Sequence, residues 1–374
     1  MARLDHGLRW HLRLARARRW EFWPAWLFYL PIIVWIVLLG LRHRHLTLFT
    51  AANPGMDEGG VVGERKSPLL LGLRAAQPEA TPQLLFVPAS WSLAEKRTRI
   101  LAFANGRYPL VLKPDIGQRG RGVSIVRHPG QVERYLEGAD FDVLAQEFVA
   151  GPEFGVFVYR HPATDRLALL SITHKRLPTV IGDGRHCLGE LILADSRARL
   201  SAEQLFARHR DRLADVPAAG TRFPLVELGS HCRGAVFESA MARESPALRA
   251  RLREIIGALP DFHFGRLDII APDDAALAAG RGLQVLEVNG VTSEAAHVYH
   301  PGTPLLTGYQ VFFRQWALAF AIGARNYRAG AATVSPWRLL RLFLQDLRRH
   351  DAAERCVRNA SAAEAEGNNS GGRP

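Results

Sequence analysis

Residues 284–290 read QVLEVNG, and the interpretation of the whole chain depends on this stretch. Its composition is that of a buried β-strand, in which successive side chains point to opposite faces of the sheet. Glu287 and Asn289 therefore project from one side, and the apolar residues around them can pack in a core. Taken alone, the motif is more simply a solvent-facing polar stripe on an edge strand. The rest of the sequence is needed to judge whether the oxygen atoms of these two side chains bind one ligand together.

Length, cysteine content and charge exclude several classes of protein. The 374 residues suffice for two or three domains, or for one large multi-lobed domain. Cys187, Cys232 and Cys356 are widely spaced and form no CxxC pair, which predicts neither a disulfide framework nor a zinc site. Half of the net charge of +12 lies in residues 1–45, beside the most hydrophobic segment, where it suits anionic lipid. RNP, zinc-finger and helix-turn-helix patterns are absent, so we expect no nucleic-acid partner.

Residues 22–41, FWPAWLFYLPIIVWIVLLGL, are twenty consecutive positions without a charge. As a helix they would extend about 30 Å, the thickness of the hydrocarbon core of a membrane. A cleavable signal peptide is disfavoured, because the run is long and arginines follow it instead of a small-residue cleavage site. Arginines flank both ends, and Pro24 and Pro31 would kink or break a helix. A single span and a re-entrant or interfacial insertion therefore both stay open, and either predicts a membrane-associated protein.

A second amphipathic stretch, SPWRLLRLFLQDLRRH, occupies residues 335–350. Its leucines and Phe343 recur at helical spacing, its arginines supply the other face, and Pro336 suits a first helical turn. We favour a terminal helix that docks on the core over a second membrane contact. Beyond it, residues 359–374 have too little apolar mass to fold and are expected to be disordered.

Residues 108–126, YPLVLKPDIGQRGRGVSIV, predict a hairpin with a flexible glycine-rich tip. The first apolar run is predicted to be a strand that ends at Lys113, where a proline follows. Gly117, Gly120 and Gly122 then separate it from the second apolar run. Glycines allow backbone N–H groups to approach a polyphosphate, and a lysine at the strand end adds fixed positive charge. The stretch is not a Walker A sequence, which would place its lysine at the start of a helix.

Residues 143–159, VLAQEFVAGPEFGVFVY, predict two more strands joined by a short segment. Glu147 and Glu153 lie in or beside strongly apolar runs. A carboxylate in such surroundings needs a partner that offsets its desolvation, either a structural one or a bound ligand.

In this order the motifs resemble the ATP-grasp superfamily, most closely the branch of D-alanine-D-alanine ligase and cyanophycin-synthetase-like carboxylate-amine ligases, over roughly residues 60–325. The resemblance implies an α+β chain with the ATP-grasp fold, two α/β lobes that clamp ATP, preceded by a hydrophobic membrane-associated helix. It implies an ATP-dependent carbon-nitrogen ligase that forms an acylphosphate from a carboxylate and an amide from an amine. The alternatives are an ATP-grasp small-molecule kinase and a nucleotide-binding membrane scaffold without catalysis.

The resemblance also implies which residues contact the nucleotide. Lys113 and the loop Gly117–Gly122 match the phosphate contacts, Glu147 and Val149 the base contacts, and Glu153 the ribose contact. Two more lysines belong to similar motifs, one in GERKSPLL and one in HKRLPTVIGDG. The implied ATP-binding set is Lys66, Lys113, Gly117, Gly120, Gly122, Glu147, Val149, Glu153 and Lys175.

GRLDII (265–270) and LEVNG (286–290) are similar to the paired metal strands of the family, which gives the opening stretch its purpose. The resemblance implies that Asp268, Glu287 and Asn289 bind two Mg²⁺ ions, with Mn²⁺ as an alternative, because oxygen ligands suit these cations and ATP phosphates complete their coordination. Arg266 shares a face with Asp268 by strand alternation. With Lys175, it would stabilise the phosphoryl group during transfer.

The two substrates are not specified by these motifs. Candidate acceptor contacts follow the metal strand or lie in GSHCRGAVF: Ser293, Glu294, His297, His300, His231 and Arg233. Residues 53–65 do not resemble the first domain of D-alanine-D-alanine ligase, which argues against that exact activity. The hydrophobic segment indicates a membrane-proximal substrate. We therefore expect four kinds of partner, which are ATP, a carboxylate, an amine and membrane lipid.

The expected order of regions follows from these motifs. It runs through a basic amphipathic segment (1–21), a membrane-inserting segment (22–45), a pre-lid region (46–107), a lid subdomain (108–172), a catalytic subdomain with the metal site (173–330), a basic amphipathic helix (331–350) and a disordered tail (351–374). Because ATP is cytoplasmic, the catalytic part is expected on the cytoplasmic side of the inner membrane.

Overall fold

A computed structural model describes residues 6–117, 120–227 and 235–370. Its helices are α1 (His6–Ala17), α2 (Ala25–Arg42), α3 (Lys66–Ala76), α4 (Leu93–Ala104), α5 (Pro129–Leu136), α6 (Leu188–Ala194), α7 (Ala202–Arg208), α8 (Pro246–Gly257), α9 (Asp274–Ala278), α10 (Leu305–Arg328) and α11 (Pro336–Ser370). Its strands are β1 (Leu84–Val87), β2 (Leu110–Pro114), β3 (Ser124–Val126), β4 (Val143–Glu147), β5 (Glu153–Arg160), β6 (Leu167–Arg176), β7 (Thr179–Ile181), β8 (Arg222–Pro224), β9 (Val236–Ser239), β10 (Phe264–Ile270) and β11 (Gln284–Asn289).

The first sheet has the strand order β1-β4-β2-β3, and all of its pairs are antiparallel. The expected hairpin is present, because β2 pairs with β3 and Leu110 lies opposite Val126. The helices α4, α5 and α11 pack on this sheet around a core that includes Leu112 and Tyr135. Their apolar side chains close this lobe and leave the glycine-rich tip at its edge.

The second sheet has the order β11-β10-β5-β6-β9, and it carries the predicted metal strands side by side. It is antiparallel throughout, and Asp268 of β10 lies directly opposite Glu287 of β11. One face packs on α3 and α8, and the other packs on α10. A third, two-stranded sheet pairs β7 with β8.

The boundary between the two larger sheets differs from the predicted one. Strands β5 and β6, placed in the lid at 108–172, belong to the second sheet, and β1 and α4, placed in the pre-lid region, belong to the first. The physical reason is pairing, because the four residues of β1 pair along β4. The chain therefore passes between the sheets at residues 148–152.

Among the described residues, one helix, α2, is long and apolar enough to cross a membrane. Pro24 precedes its first residue, and Pro31 lies within a helix that continues without a break, so the predicted break does not occur. Only 22% of α2 is buried, which is unlike the core helix of a globular domain. Its exposed apolar side chains are Trp26, Leu27, Leu30, Ile33, Val34, Val37, Leu38 and Leu41.

The buried side of α2 lies along α10. Near its start, the Phe28 ring stacks on Tyr309 at 5.4 Å between centroids. Further along, the Trp35 indole N–H donates to the Phe313 carbonyl at 3.0 Å. Near its end, Leu39 shares a core with residues of α10. The helix is thus held against the rest of the protein along its whole length.

The last helix, α11, continues to Ser370, through most of the segment for which disorder is expected. Cys356 and Ala360 are buried in the core of the first sheet, and Ala353 of the same helix is buried too, which is the physical reason for the difference. At its start, Leu339 is buried, whereas Trp337 and Leu340 are among the exposed apolar side chains. The docked helix that we favoured is present, and its first turns also leave an apolar face open.

Candidate active site

The strand pair β10–β11 and four neighbouring elements, α3, β2, β5 and β6, bring eight of the predicted side chains into one place. We call them the charged cluster: Lys66, Lys113, Glu153, Lys175, Arg266, Asp268, Glu287 and Asn289. Local register explains the arrangement, because Asp268 lies opposite Glu287 and Arg266 lies opposite Asn289. Alternation along β10 then places Arg266 and Asp268 on one face, as the sequence predicts.

Lys175 lies at the centre of the cluster. Its Nζ donates to Glu153 Oε1 at 2.5 Å and is 2.9 Å from Asp268 Oδ2. The contact with Glu153 follows from β5–β6 pairing, in which the two residues are register partners. Burial disfavours the charged lysine, but the two carboxylates outweigh it and raise the pKa of Lys175. Burial also raises the pKa of Glu153 despite its lysine partner.

Arg266 holds Asp268 through a bidentate ion pair. Arg266 Nε is 2.8 Å from Asp268 Oδ1, and Nη2 is 3.2 Å from Oδ2. Burial opposes ionisation of Asp268, but Arg266 and Lys175 lower the pKa of this carboxyl group to about 2. The remaining guanidinium nitrogen, Nη1, is 3.4 Å from the carbonyl oxygen of Glu294. Asp268 is therefore an anion over the physiological range, with its position fixed.

The donor set for a metal consists of Asp268, Glu287 and Asn289. The Asn289 amide nitrogen is 3.4 Å from Asp268 Oδ2, and exchanging its amide oxygen and nitrogen would present an oxygen there instead. Within the described ranges, His, Cys, Asp and Glu side chains form no group of three that could hold a metal by itself. Two carboxylates and one amide fit Mg²⁺ only if phosphate oxygens and water supply the other positions.

Two lysines approach the cluster from outside the β10–β11 pair. Lys66, in the first turn of α3, donates to the Gly117 carbonyl at 2.6 Å and lies 3.5 Å from Glu287 Oε1. Lys113 donates to Gln146 Oε1 at 2.8 Å and to the Leu286 carbonyl at 3.0 Å. The last of these bonds joins the first sheet to the second. Burial lowers the pKa of Lys113 to about 8, which leaves it cationic at neutral pH.

Glu64 and Asp115 complete this region and were not among the predicted residues. The Glu64 carboxylate is buried and accepts a bond from the Gly290 backbone N–H at 3.3 Å, and burial raises its pKa to about 8. Asp115 accepts from the Ser67 backbone N–H at 2.7 Å and from the Ser67 hydroxyl at 2.9 Å, so it caps α3 and positions Lys66. The sequence indicates a role for Glu64 only through its position in GERK, two residues before Lys66.

The glycine-rich tip is described in part. Gly117 contacts Lys66 through its carbonyl, Gly120 and Gly122 have φ of 71° and 70°, and the Gly122 carbonyl accepts from the Tyr135 hydroxyl at 2.7 Å. Gln118 and Arg119 of the predicted loop lie outside the described residues. Positive φ at both glycines agrees with the expectation of a tight turn that needs glycine.

Glu147 and Val149, predicted to contact the base, do not join the charged cluster. Glu147 is exposed at the end of β4, where its backbone N–H donates to the Gln83 carbonyl at 2.8 Å. Val149 lies half-buried in the segment between the two sheets. Glu153, predicted to contact the ribose, forms an ion pair with Lys175.

The residues after β11 form a second polar group beside Arg266. Both Tyr29 of α2 and Tyr299 donate their hydroxyls to the Glu294 carboxylate, the latter at 2.8 Å. His297 Nδ1 lies 2.8 Å from Ser171 Oγ, which gives it a structural partner. The Ser239 backbone N–H donates to His300 Nδ1, and the Ser293 hydroxyl donates to the Gly290 carbonyl. Among the acceptor candidates that the structure describes, Glu294 is thus the one bonded to a side chain of α2.

His231 and Arg233, the other predicted acceptor contacts, lie outside the described residues, as does Cys232. Within the described residues, Cys187 and Cys356 form no disulfide bond. Cys356 packs in the core of the first sheet.

No protein-family model and no curated protein matches this sequence. Among solved structures, the chain is similar to D-alanine-D-alanine ligase from Bacillus anthracis, at 13% identity over 71% of this chain and 69% of that chain, with a TM-score of 0.38. The chain is also similar to VanG D-Ala:D-Ser ligase from Enterococcus faecalis, at 16% identity over 70% of this chain and 61% of that chain, with a TM-score of 0.40. The bifunctional glutathione synthetase from Pasteurella multocida gives 17% identity and a TM-score of 0.34, and the match spans 67% of this chain but 36% of that one. These similarities are too distant to assign the chain to a family.

Proposed function

We propose that this protein is a membrane-associated, ATP- and Mg²⁺-dependent carboxylate-amine ligase that acts through an acylphosphate. The observation that carries the proposal is the convergence of three cations, Lys66, Lys175 and Arg266, on the carboxylates of a single strand pair. A fourth cation, Lys113, donates to the Leu286 backbone carbonyl of the same strand pair. Removing so many charges from water is costly, and apolar packing would serve stability as well. Clusters of buried, pKa-shifted groups are instead typical of sites that bind charged ligands.

In the proposed reaction, an oxygen of the substrate carboxylate attacks the γ-phosphorus of ATP. The bond from that phosphorus to the β–γ bridging oxygen breaks, so ADP leaves and a mixed anhydride forms. The amine then attacks the carbonyl carbon, the carbon–oxygen bond to phosphate breaks, and the amine loses a proton. Phosphate leaves far more readily than a carboxylate oxygen does, which is the chemical reason for using ATP.

The side chains of the charged cluster supply positioning and charge for these steps. Mg²⁺, when bound at Asp268, Glu287 and Asn289, would neutralise phosphate charge. Lys113 and Lys175 offer fixed cations near the strand pair, and Arg266 directs Nη1 toward the side on which Glu294 lies. Donors that are oriented before the substrate enters stabilise charge in the transition state without reorganising.

The membrane-facing surface is formed by α2 and the start of α11. The start of α11 exposes Trp337, Leu340, Phe343 and Leu344, and its buried Leu339 belongs to the same core as Leu39 of α2. Because α2 is held along α10, we propose that it inserts from one side and does not span the bilayer. The catalytic part would then lie at the cytoplasmic face of the inner membrane.

Cysteine accessibility tests this arrangement. In an Arg18→Cys variant of the full chain, a membrane-impermeant reagent added to intact cells should leave the new thiol unlabelled, and labelling should require lysis. Labelling of that thiol in intact cells would support a single span instead.

The Tyr29–Glu294 contact supports a membrane-proximal substrate. It joins a helix proposed to lie in the bilayer surface to the loop beside Arg266, so the acceptor side of the site lies next to lipid. We propose that the carboxylate or the amine belongs to a molecule that is itself held at the membrane.

A product assay tests the reaction class. The detergent-solubilised protein is incubated with ATP, Mg²⁺ and pooled carboxylates and amines, and ADP and phosphate are followed. Phosphate release that needs both substrates, and is lost in Asp268→Asn and Glu287→Gln, is the expected result. ADP with the phosphate retained on an acceptor would make the protein a kinase, and nucleotide binding without turnover would favour the scaffold.

A further inference from the structure

A cavity of about 600 Å³ lies between α1, the start of α2 and the turn before α7, and none of its lining residues belongs to the charged cluster. We call it the arginine cavity. Its lining residues are Arg9, Leu12, Arg13, Arg16, Ala17, Phe22, Trp23, Pro24, Leu27, Arg199, Leu200, Ala202 and Glu203.

The charge of the arginine cavity is strongly positive. Four arginines line it, and Glu203 is the one carboxylate among its lining residues. Arg16 is fixed, because its Nη1 donates to the Leu200 carbonyl at 3.3 Å and its guanidinium lies 5.1 Å from the centre of the Phe22 ring. Arg9, Arg13 and Arg199 are exposed at the rim. Such a set offers an anion several N–H donors at once.

The rest of the wall is apolar and continues into the exposed face of α2. Trp23, just before α2, and Leu27 of α2 line the cavity, and Trp26 and Leu30 lie on the exposed surface of α2. A cationic rim at the end of an apolar helical face matches the cross-section of a membrane surface, where headgroup phosphates lie above acyl chains. A soluble phosphate compound would use the arginines but leave the apolar wall in water.

We propose that the arginine cavity binds one anionic phospholipid, with its headgroup phosphate against Arg9, Arg13 and Arg199 and its acyl chains along Leu27 and the exposed face of α2. The inference rests on the membrane association proposed above but not on the ligase reaction. The bound lipid would fix the depth and orientation of α2, and with them the position of Tyr29 beside Glu294.

The test is native mass spectrometry of the full chain in detergent, titrated with phosphatidylglycerol or phosphatidylcholine. The test variant carries Arg9→Gln, Arg13→Gln and Arg199→Gln. The control carries Arg222→Gln, Arg253→Gln and Arg281→Gln, which remove the same charge at exposed positions away from the cavity. Flotation with neutral vesicles reports separately on whether α2 inserts, and needs no enzymatic activity.

We expect one phosphatidylglycerol to bind to the wild type and the control at least about tenfold more tightly than phosphatidylcholine, and this preference to disappear in the test variant. Flotation should be equal for all three proteins. If the control loses the preference for phosphatidylglycerol as fully as the test variant does, the preference reflects overall charge and not the cavity, and the proposal is overturned. Displacement of the lipid by millimolar inorganic phosphate would also overturn it, since the site would then recognise a soluble anion.

Discussion

The most informative perturbation of the charged cluster is Lys175→Met. This lysine contacts Glu153 at 2.5 Å and Asp268 at 2.9 Å, and its side chain is about as long as methionine, so the change removes charge with little loss of packing. Removing one partner of a buried ion pair typically costs about 3–5 kcal/mol, because the remaining charge is left uncompensated. An unfolding entropy of about 2.1 cal/mol/K per residue then converts this cost into a loss of about 4–6 °C in Tm for 374 residues.

The pH dependence of this loss has a definite sign. Without the lysine, the pKa of Glu153, already raised by burial, rises further. A carboxyl group whose pKa is raised on folding stabilises the protein at low pH and loses that contribution as pH rises through the raised pKa. The Tm deficit of Lys175→Met should therefore be larger at pH 8.5 than at pH 5.5.

Lys96→Met provides the matched control. Lys96 is buried to a similar degree, but its Nζ donates to the Ala139 carbonyl at 3.1 Å. Loss of one such bond costs about 1 kcal/mol, so its Tm should fall by only about 1–2 °C and with little dependence on pH. Differential scanning fluorimetry in detergent measures both variants. Equal deficits for the two variants, or a Lys175→Met deficit that does not change with pH, would refute the reasoning.

Three further predictions concern the surroundings of the cluster. The pKa of Glu64 rises on folding from its ordinary 4.5 to about 8, so the stability of the folded protein should decline as pH rises across this interval. Glu64→Gln should therefore flatten the decline in Tm between pH 5 and 9, and an unchanged slope of Tm against pH would contradict this. Gly265 has a φ of 154°, and an added Cβ would lie 2.1 Å from a backbone oxygen of β11. Gly265→Ala should therefore lower Tm by several degrees, whereas Gly72→Ala, which adds a Cβ in open space, should not. Tyr29→Phe removes a donor to the Glu294 carboxylate, and it should raise the KM of one organic substrate about tenfold and leave the KM for ATP unchanged. Equal increases in the KM for ATP and in the KM for the organic substrate would argue against a substrate-positioning role.

The metal strands could be predicted because a strand places alternate residues on one face. That rule places Arg266 with Asp268 and Glu287 with Asn289, and antiparallel pairing of β10 with β11 then brings both pairs together. The hairpin around Lys113 was predictable for a similar reason, since a proline and three glycines separate two apolar runs. These are local patterns, and short-range geometry fixes their outcome.

The remaining features depend on contacts between distant parts of the chain. Strand β1 is only four residues long, and its pairing with β4 decides which sheet it joins. Glu64 meets Gly290 only after the fold has formed, and the carboxylate carries no motif that marks it as buried. The same holds for Tyr29, which reaches Glu294 from a helix whose sequence indicates only hydrophobicity.

The helix that covers residues 351–370 shows the limit of composition as a guide. The segment is polar overall, and composition therefore predicts disorder. A few small residues, including Cys356 and Ala360, nevertheless face the first sheet and are buried there. Packing of one narrow face suffices to order a helix that has little apolar mass in total.

Transfer of ¹⁸O from substrate to phosphate tests the central claim most directly. Once the product assay has identified a carboxylate and an amine, the carboxylate is labelled with ¹⁸O in both oxygens and turned over with unlabelled ATP. A ligase that acts through an acylphosphate must leave one of those oxygens on the phosphate, so the released phosphate should contain one ¹⁸O atom per turnover. Phosphate without ¹⁸O, formed while the amide accumulates, would contradict the account.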